Sequence, residues 1–123
     1  LLELCARHDA WLLIDDAHGF GVLGAQGRGT AAHFGIASDR LIYMATLGKA
    51  AGVSGAFVAG SNVLVESLLQ QARTYIYTTA TPPLLAHTLL TSLQIIGRED
   101  WRRERLRELV SRLKQGLQGA PWL

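Results

Sequence analysis

Leu12-Leu13-Ile14 runs directly into Asp15-Asp16-Ala17-His18-Gly19. An apolar run this short, bounded by turn-forming residues, reads as a buried strand. The strand, expected over Ala10 to Asp15, therefore delivers two acids and a histidine to its carboxyl end. A second run, Leu41 to Ala45, ends in Thr46-Leu47-Gly48-Lys49, and a third is Gly55-Ala56-Phe57-Val58-Ala59-Gly60. Helical patterns flank these strands, which predicts an α/β sheet, mostly parallel, with helices on both faces. The step from Lys49 to Gly55 is too short for a crossover helix, so the third strand is expected to run antiparallel to its neighbour or to sit elsewhere in the sheet. Ligands in such sheets bind beyond strand ends, where Asp15 and Lys49 both fall.

The remaining segments follow from local signals. Residues 1 to 8 read as the end of a helix. GFGVLGAQGRG, Gly19 to Gly29, holds five glycines and reads as a turning loop. Ser61 is a candidate cap for a helix carrying Val63, Leu64, Leu68 and Leu69. TYIYTTAT, residues 74 to 81, is β-prone, and Pro82-Pro83 interrupts it. Thr81 is the expected N-cap of the next helix, with Pro82 in its first turn and a stop at Gly97 after Ile96. A long amphipathic helix follows from about Trp101 to Gln118. Its apolar stripe is Leu106, Leu109, Val110, Leu113 and Leu117, and Glu99–Arg103 and Glu108–Arg112 are expected i,i+4 pairs. Leu1 in place of Met, and an end at Pro121-Trp122-Leu123, suggest an internal segment of a longer protein.

Composition narrows the class. With 49% hydrophobic and 18% charged residues the chain has the makings of a core. A net charge of +2, with much of the basic charge interleaved with acids in the last helix, points to a solvated face and not to nucleic acid. The single cysteine, Cys5, provides no disulfide and suits a reducing, cytoplasmic setting. No apolar run approaches the roughly 18 residues of a membrane span, and no membrane association is expected. His8, His33 and His87 are widely spaced without partners at ligand spacing, so no metal site is expected.

Two chemistries can use Asp-Asp-Ala-His. LLIDDAHG resembles the second motif of DEAH-type helicases, whose acids hold magnesium and orient water. Against that stand Asp16, one methylene shorter than the expected glutamate, and the lack of a GxxxxGK[ST] phosphate loop. That reading also leaves Lys49 unused. Pyridoxal phosphate (PLP) uses the pieces together. Its aldehyde needs a lysine amine, its pyridine nitrogen needs a carboxylate to stay protonated, and its phosphate needs hydroxyls and backbone N–H groups. Asp15, His18 and Thr46 can fill these places around Lys49.

IDDAHGFGVLGAQGRG, then ATLGKAAGVSGAFVAG, then YIYTTATPP, in this order, resemble the α-oxoamine synthase family of fold-type I PLP enzymes, over essentially all 123 residues. The resemblance implies that Asp15 pairs with the pyridine nitrogen, Ala17 lies beneath the ring, and His18 faces the 3′-oxygen and the substrates. It implies that Thr46 is a phosphate-side hydroxyl and that Lys49 is the Schiff-base lysine and proton-transfer group. Thr78 and Thr79 would reach the phosphate of a neighbouring subunit's cofactor, so each site would be shared across a homodimer. Residues 1–100 would belong to the PLP-binding large domain, and 101–123 would lead towards a C-terminal small domain.

The implied activity is acyl transfer with decarboxylation. DDAHG, with Asp16 and Gly19, resembles the members that join L-alanine to a pimeloyl thioester, on CoA or a carrier protein. Sister enzymes join glycine to acetyl-CoA or another acyl-CoA. The ring-stacking residue, the upstream phosphate segment and the carboxylate-binding arginine of the family are expected outside these 123 residues, so the segment alone should not catalyse. Asp16 is read chiefly as a residue that caps or pins the glycine loop, His87 as structural or exposed, and Arg28 as a lesser candidate for an acyl-CoA phosphate or a partner subunit. A non-enzymatic α/β scaffold is the reading of a different class.

Overall fold

The computed structural model describes residues 1–120; Pro121, Trp122 and Leu123, the end of the segment expected to lead to a small domain, lie outside the described residues. Helix α1 (Leu2–Arg7) leads into strand β1 (Leu12–Asp15). The glycine loop follows and contains a single 3₁₀ turn at Ala25–Gly27, then the short helix α2 (Thr30–His33). Strands β2 (Leu41–Thr46) and β3 (Ala56–Ala59) come next, and then helices α3 (Asn62–Gln71), α4 (Arg73–Ile76), α5 (Pro83–Arg98) and α6 (Asp100–Gly116).

The sheet has the order β1-β2-β3. β1 and β2 are parallel, in the register Leu12↔Leu41 to Asp15↔Met44. β2 and β3 are antiparallel, with Thr46 opposite Ala56. The expected α/β class is present, but the described sheet is evenly mixed and not mostly parallel. The reason is the short connection from Thr46 to Ala56, which can only turn the chain back.

Alternation along the strands sorts their side chains into two faces. Ile14, Tyr43, Ala45 and Phe57 share one face, and Ala45 on it is wholly buried. The glycine loop folds beneath that face: Phe20 meets Phe57 edge-on at 5.3 Å between ring centres, a pair that contributes about 1 kcal/mol beyond its buried area. The Ser92 hydroxyl of α5 donates to the Ala51 carbonyl at 2.6 Å, tying that helix to the loop after β2. The opposite face carries Leu13, Asp15, Met44, Thr46 and Val58. It stays open, with Leu13 60% and Val58 41% exposed, so the expected helices on both faces are not seen among the described residues.

Four local expectations change. The stretch 74–81 forms no strand: the Ala72 carbonyl accepts from Tyr75 and Ile76 N–H at 2.8 and 2.9 Å and closes one helical turn instead. Strand propensity needs a neighbouring strand to express it, and none pairs here among the described residues. Thr81 is not the cap of α5. Pro82 takes that place at φ −56°, ψ 137°, because Pro83 after it drives the preceding residue out of the helical region.

Gly97 does not stop α5, which runs to Arg98 with Glu99 N–H on the Ile95 carbonyl at 2.9 Å. One interior glycine costs only about 1 kcal/mol, and the Arg103 guanidinium holds the Ile96 carbonyl at 2.6 Å. The ion pairs of α6 form at i,i+3 instead of i,i+4: Arg102 with Glu99 at 2.7 Å, Arg103 with Asp100, and Arg105 with Glu108 at 3.0 Å. Arg103 is buried and already engaged by the Ile96 carbonyl, so Asp100 one turn below is its reachable acid. Ser61 does cap α3, accepting from Leu64 N–H at 3.3 Å.

Candidate functional site

Because β1 and β2 are parallel, their carboxyl ends lie side by side, about 4.8 Å apart. The two adjacent acids part there. Asp15 leaves the open face of the sheet, and Asp16, one residue on, turns under the covered face. Asp15 is exposed and its Oδ1 accepts from Ala17 N–H at 3.1 Å, closing a tight turn over the strand end. Ala17 is buried and His18 beside it is exposed.

From β2, Thr46 leaves the same face as Asp15, two positions beyond its partner Met44. The Lys49 ammonium donates to the Thr46 hydroxyl at 3.4 Å, which brings the amine to that side of the sheet. The loop carrying Lys49 is tight: Leu47 N–H bonds the Gly55 carbonyl at 2.8 Å, Val53 N–H the Leu47 carbonyl at 2.9 Å, and Gly52 N–H the Lys49 carbonyl at 3.0 Å. Lys49 is therefore an exposed amine on a pinned backbone, with no acid in contact among the described residues.

Asp16 is the most connected side chain of the region. Its Oδ2 accepts from Thr30 N–H at 2.7 Å and from the Tyr43 hydroxyl at 2.5 Å, and its Oδ1 accepts from the Thr30 hydroxyl at 2.5 Å. Its backbone joins in, with Asp16 N–H on the Met44 carbonyl at 2.7 Å and its carbonyl accepting from Gly19 and Phe20. Glycines make the space. A Cβ at Gly19 would stand 2.0 Å from Asp16 Oδ1, and one at Gly29, where φ is +89°, would stand 2.1 Å from Asp16 Oδ2 and 2.2 Å from the Tyr43 oxygen. Burial first, then the hydrogen bond and charge of Asp16, raise the Tyr43 phenol far above its ordinary value. Tyr43 thus stays a neutral donor.

Sequence reasoning placed Asp16 as a pin for the loop but did not find its partners Thr30 and Tyr43. The only available signal was that a tyrosine on a buried strand face needs a partner for its hydroxyl.

Of the nominated residues, Asp15, Ala17 and His18 fall at the end of β1, and Thr46 and Lys49 fall at the end of the parallel neighbour β2, with Ala17 N–H on Asp15 and Lys49 on Thr46. Thr78 and Thr79 lie in the exposed stretch after α4. Arg28 and His87 are exposed. Among the described residues no three metal-ligating side chains cluster, and no helix is long and apolar enough to cross a membrane.

The planar ring of PLP needs an amine and a carboxylate on one side of the sheet and little bulk beside them; Lys49 and Asp15 share that side, and Ala17, next to Asp15, is small and buried. Its phosphate needs hydroxyl and N–H donors, and Thr46 is one such group beside the amine. The residues present fit the group.

The family model described as aminotransferase class I and II matches residues 1–122. An 8-amino-7-oxononanoate synthase of Polaromonas sp. is 65% identical over 130 aligned residues, which take in 99% of this chain and 32% of the relative. The crystal structure of the 8-amino-7-oxononanoate synthase of Francisella tularensis superposes with a TM-score of 0.83 at 37% identity, over 95% of this chain and 36% of that one. A serine palmitoyltransferase from S. paucimobilis with PLP and myriocin bound gives 0.86 at 29% identity, over 95% and 30%. The chain spans about a third of the length of these relatives.

Proposed function

This chain belongs to the aminotransferase class I and II family, and we propose that it carries the cofactor-anchoring strand ends of a PLP-dependent α-oxoamine synthase. The reaction proposed is the decarboxylating condensation of L-alanine with a pimeloyl thioester, on CoA or a carrier protein, to 8-amino-7-oxononanoate, a step of biotin biosynthesis. The observation that carries the reading is the placement of Asp15 and the Thr46–Lys49 pair on one face at neighbouring parallel strand ends. The 65% identity to an 8-amino-7-oxononanoate synthase supports the choice of member.

PLP, when bound, supplies an electrophilic aldehyde and a ring that accepts the electron pair released at a substrate carbon. Lys49 would hold the cofactor through its Nζ and, as a free amine, would be the base that takes and returns a proton at the substrate α-carbon. The carboxylate of Asp15 holds the proton on the ring nitrogen, which a negative group beside it favours. Ala17, buried and small, leaves room for a flat ring above the chain. The His18 imidazole, exposed just past the end of β1, would supply a hydrogen-bonding group to the cofactor's ring oxygen and to the acyl substrate. The Thr46 hydroxyl, beside the Lys49 amine, would be a donor to the phosphate. Thr78 and Thr79, exposed here, serve the phosphate of a second subunit's cofactor, so the working enzyme is a homodimer with shared sites.

The test uses the full-length gene product loaded with PLP. Borohydride reduction should fix the cofactor on the peptide containing Lys49, and L-alanine should perturb the visible absorbance of the bound cofactor more strongly than glycine. A label on any other lysine, or no visible band, overturns the reading. A stronger response to glycine moves the assignment to a sister enzyme.

A further inference from the structure

We propose that Asp16, with Thr30 and Tyr43, is the positioning unit that holds Asp15 and His18 in register over the open face. This inference rests on the reading of Asp15 and His18 given above. A β-strand end has no intrinsic reason to keep its last side chains in alternation, because the ladder that enforces it stops there. Here the ladder is extended by one residue: Asp16 N–H bonds the Met44 carbonyl at 2.7 Å. The side chain of Asp16 is then held by three donors from two distant segments, Thr30 N–H, the Thr30 hydroxyl and the Tyr43 hydroxyl. With Asp16 locked under the sheet, Asp15 must leave the opposite face, and Ala17 N–H meets Asp15 Oδ1. The carbonyl of Asp16 accepts from Gly19 and Phe20 at 3.1 and 2.9 Å, which bounds the turn that carries His18.

The donors also explain why the residue is a carboxylate. All three groups donate at once, and only an acceptor-only side chain satisfies them without a reversed partner. An asparagine would turn an amide N–H₂ toward one of the oxygens of Thr30 or Tyr43 or leave a buried donor without an acceptor. The unit acts through Asp15 and His18, and Asp16 itself, buried beneath the sheet, is not a catalytic residue.

The test compares Asp16→Asn, Tyr43→Phe, Thr30→Val and Thr30→Ser in the full-length gene product. Hydrogen exchange of the apo protein is the readout independent of the cofactor: Asp16→Asn and Thr30→Val should speed exchange of the amides of residues 17–30, and Thr30→Ser should not. With PLP bound, Asp16→Asn and Thr30→Val should lower kcat about 10- to 100-fold, as misplacement of a catalytic group by up to about 1 Å does, with little change in KM for L-alanine. Thr30→Ser should restore kcat, and Tyr43→Phe, which keeps two donors, should fall between. If Asp16→Asn does not fold, the Thr30 pair decides the matter. Faster exchange with unchanged kcat and cofactor absorbance in Thr30→Val overturns the positioning role and leaves a structural one. A wild-type protein that takes up no PLP instead overturns the functional reading, and this inference with it.

Discussion

Two neighbouring aspartates have opposite fates because one peptide unit reverses the side of the sheet. Asp15 emerges on the open face with one backbone N–H on it, and Asp16 is buried among three donors. On the proposed function, Asp15→Asn in the full-length protein should retain PLP and lose about 10²-fold or more in kcat; undiminished turnover would remove Asp15 from that role. Gly29→Ala should destabilise by about 1–3 kcal/mol in urea titration, since φ of +89° and the Asp16 and Tyr43 oxygens both oppose a Cβ.

Tyr43 provides a pH prediction. Its folded-state pKa is raised above the ordinary phenol value near 10. The unfolded chain therefore loses this proton first, and the stability tied to the protonated phenol is complete below about pH 10 and declines above it. Tyr43→Phe should flatten that alkaline decline relative to wild type in parallel denaturation curves at stepped pH. Identical slopes would contradict the assignment.

Among elements, those with strong local signals form where the residues say. Ser61 ends in a cap on Leu64 N–H, and Ser61→Ala should cost about 1 kcal/mol, read as a lower urea midpoint. The β-prone stretch 74–81 shows the limit of local reading, because hydroxyl- and aromatic-rich residues make a strand only when a partner edge is offered. Spacing along α6 paired Arg103 with Glu99 and gave no sign of its link to α5. In the fold it reaches back to the Ile96 carbonyl and the Asp100 carboxylate, joining α5 to α6. Arg103→Ala should cost about 1–3 kcal/mol by leaving that carbonyl without its partner, whereas the exposed Arg105→Ala should change stability little.

At the scale of the molecule, the main contrast in burial is between polar knots and apolar surfaces. Among the described residues no large side chain is fully buried, and Leu13, Val58, Leu106, Leu109, Val110 and Leu113 are all exposed. Exposed apolar surface on this scale calls for cover. The 123 residues expressed alone should show helical far-ultraviolet dichroism, bind a hydrophobic dye and melt without a sharp transition, as loosely packed states do. A cooperative melt without dye binding would show that these faces are closed by other means.

What the residues determined alone was the order of elements and the chemistry at their ends. Short apolar runs make strands, glycines and prolines punctuate them, and acid, histidine, hydroxyl and amine fall at positions that can be counted. The tertiary structure decided which of those groups meet. Strand direction and register put Asp15 and Thr46 on one face and sent Asp16 to the other, where Thr30, fourteen residues away, and Tyr43, twenty-seven away, close on it. Spacing along a chain carries no information about such contacts until the backbone hydrogen bonds between strands fix which residues stand opposite one another.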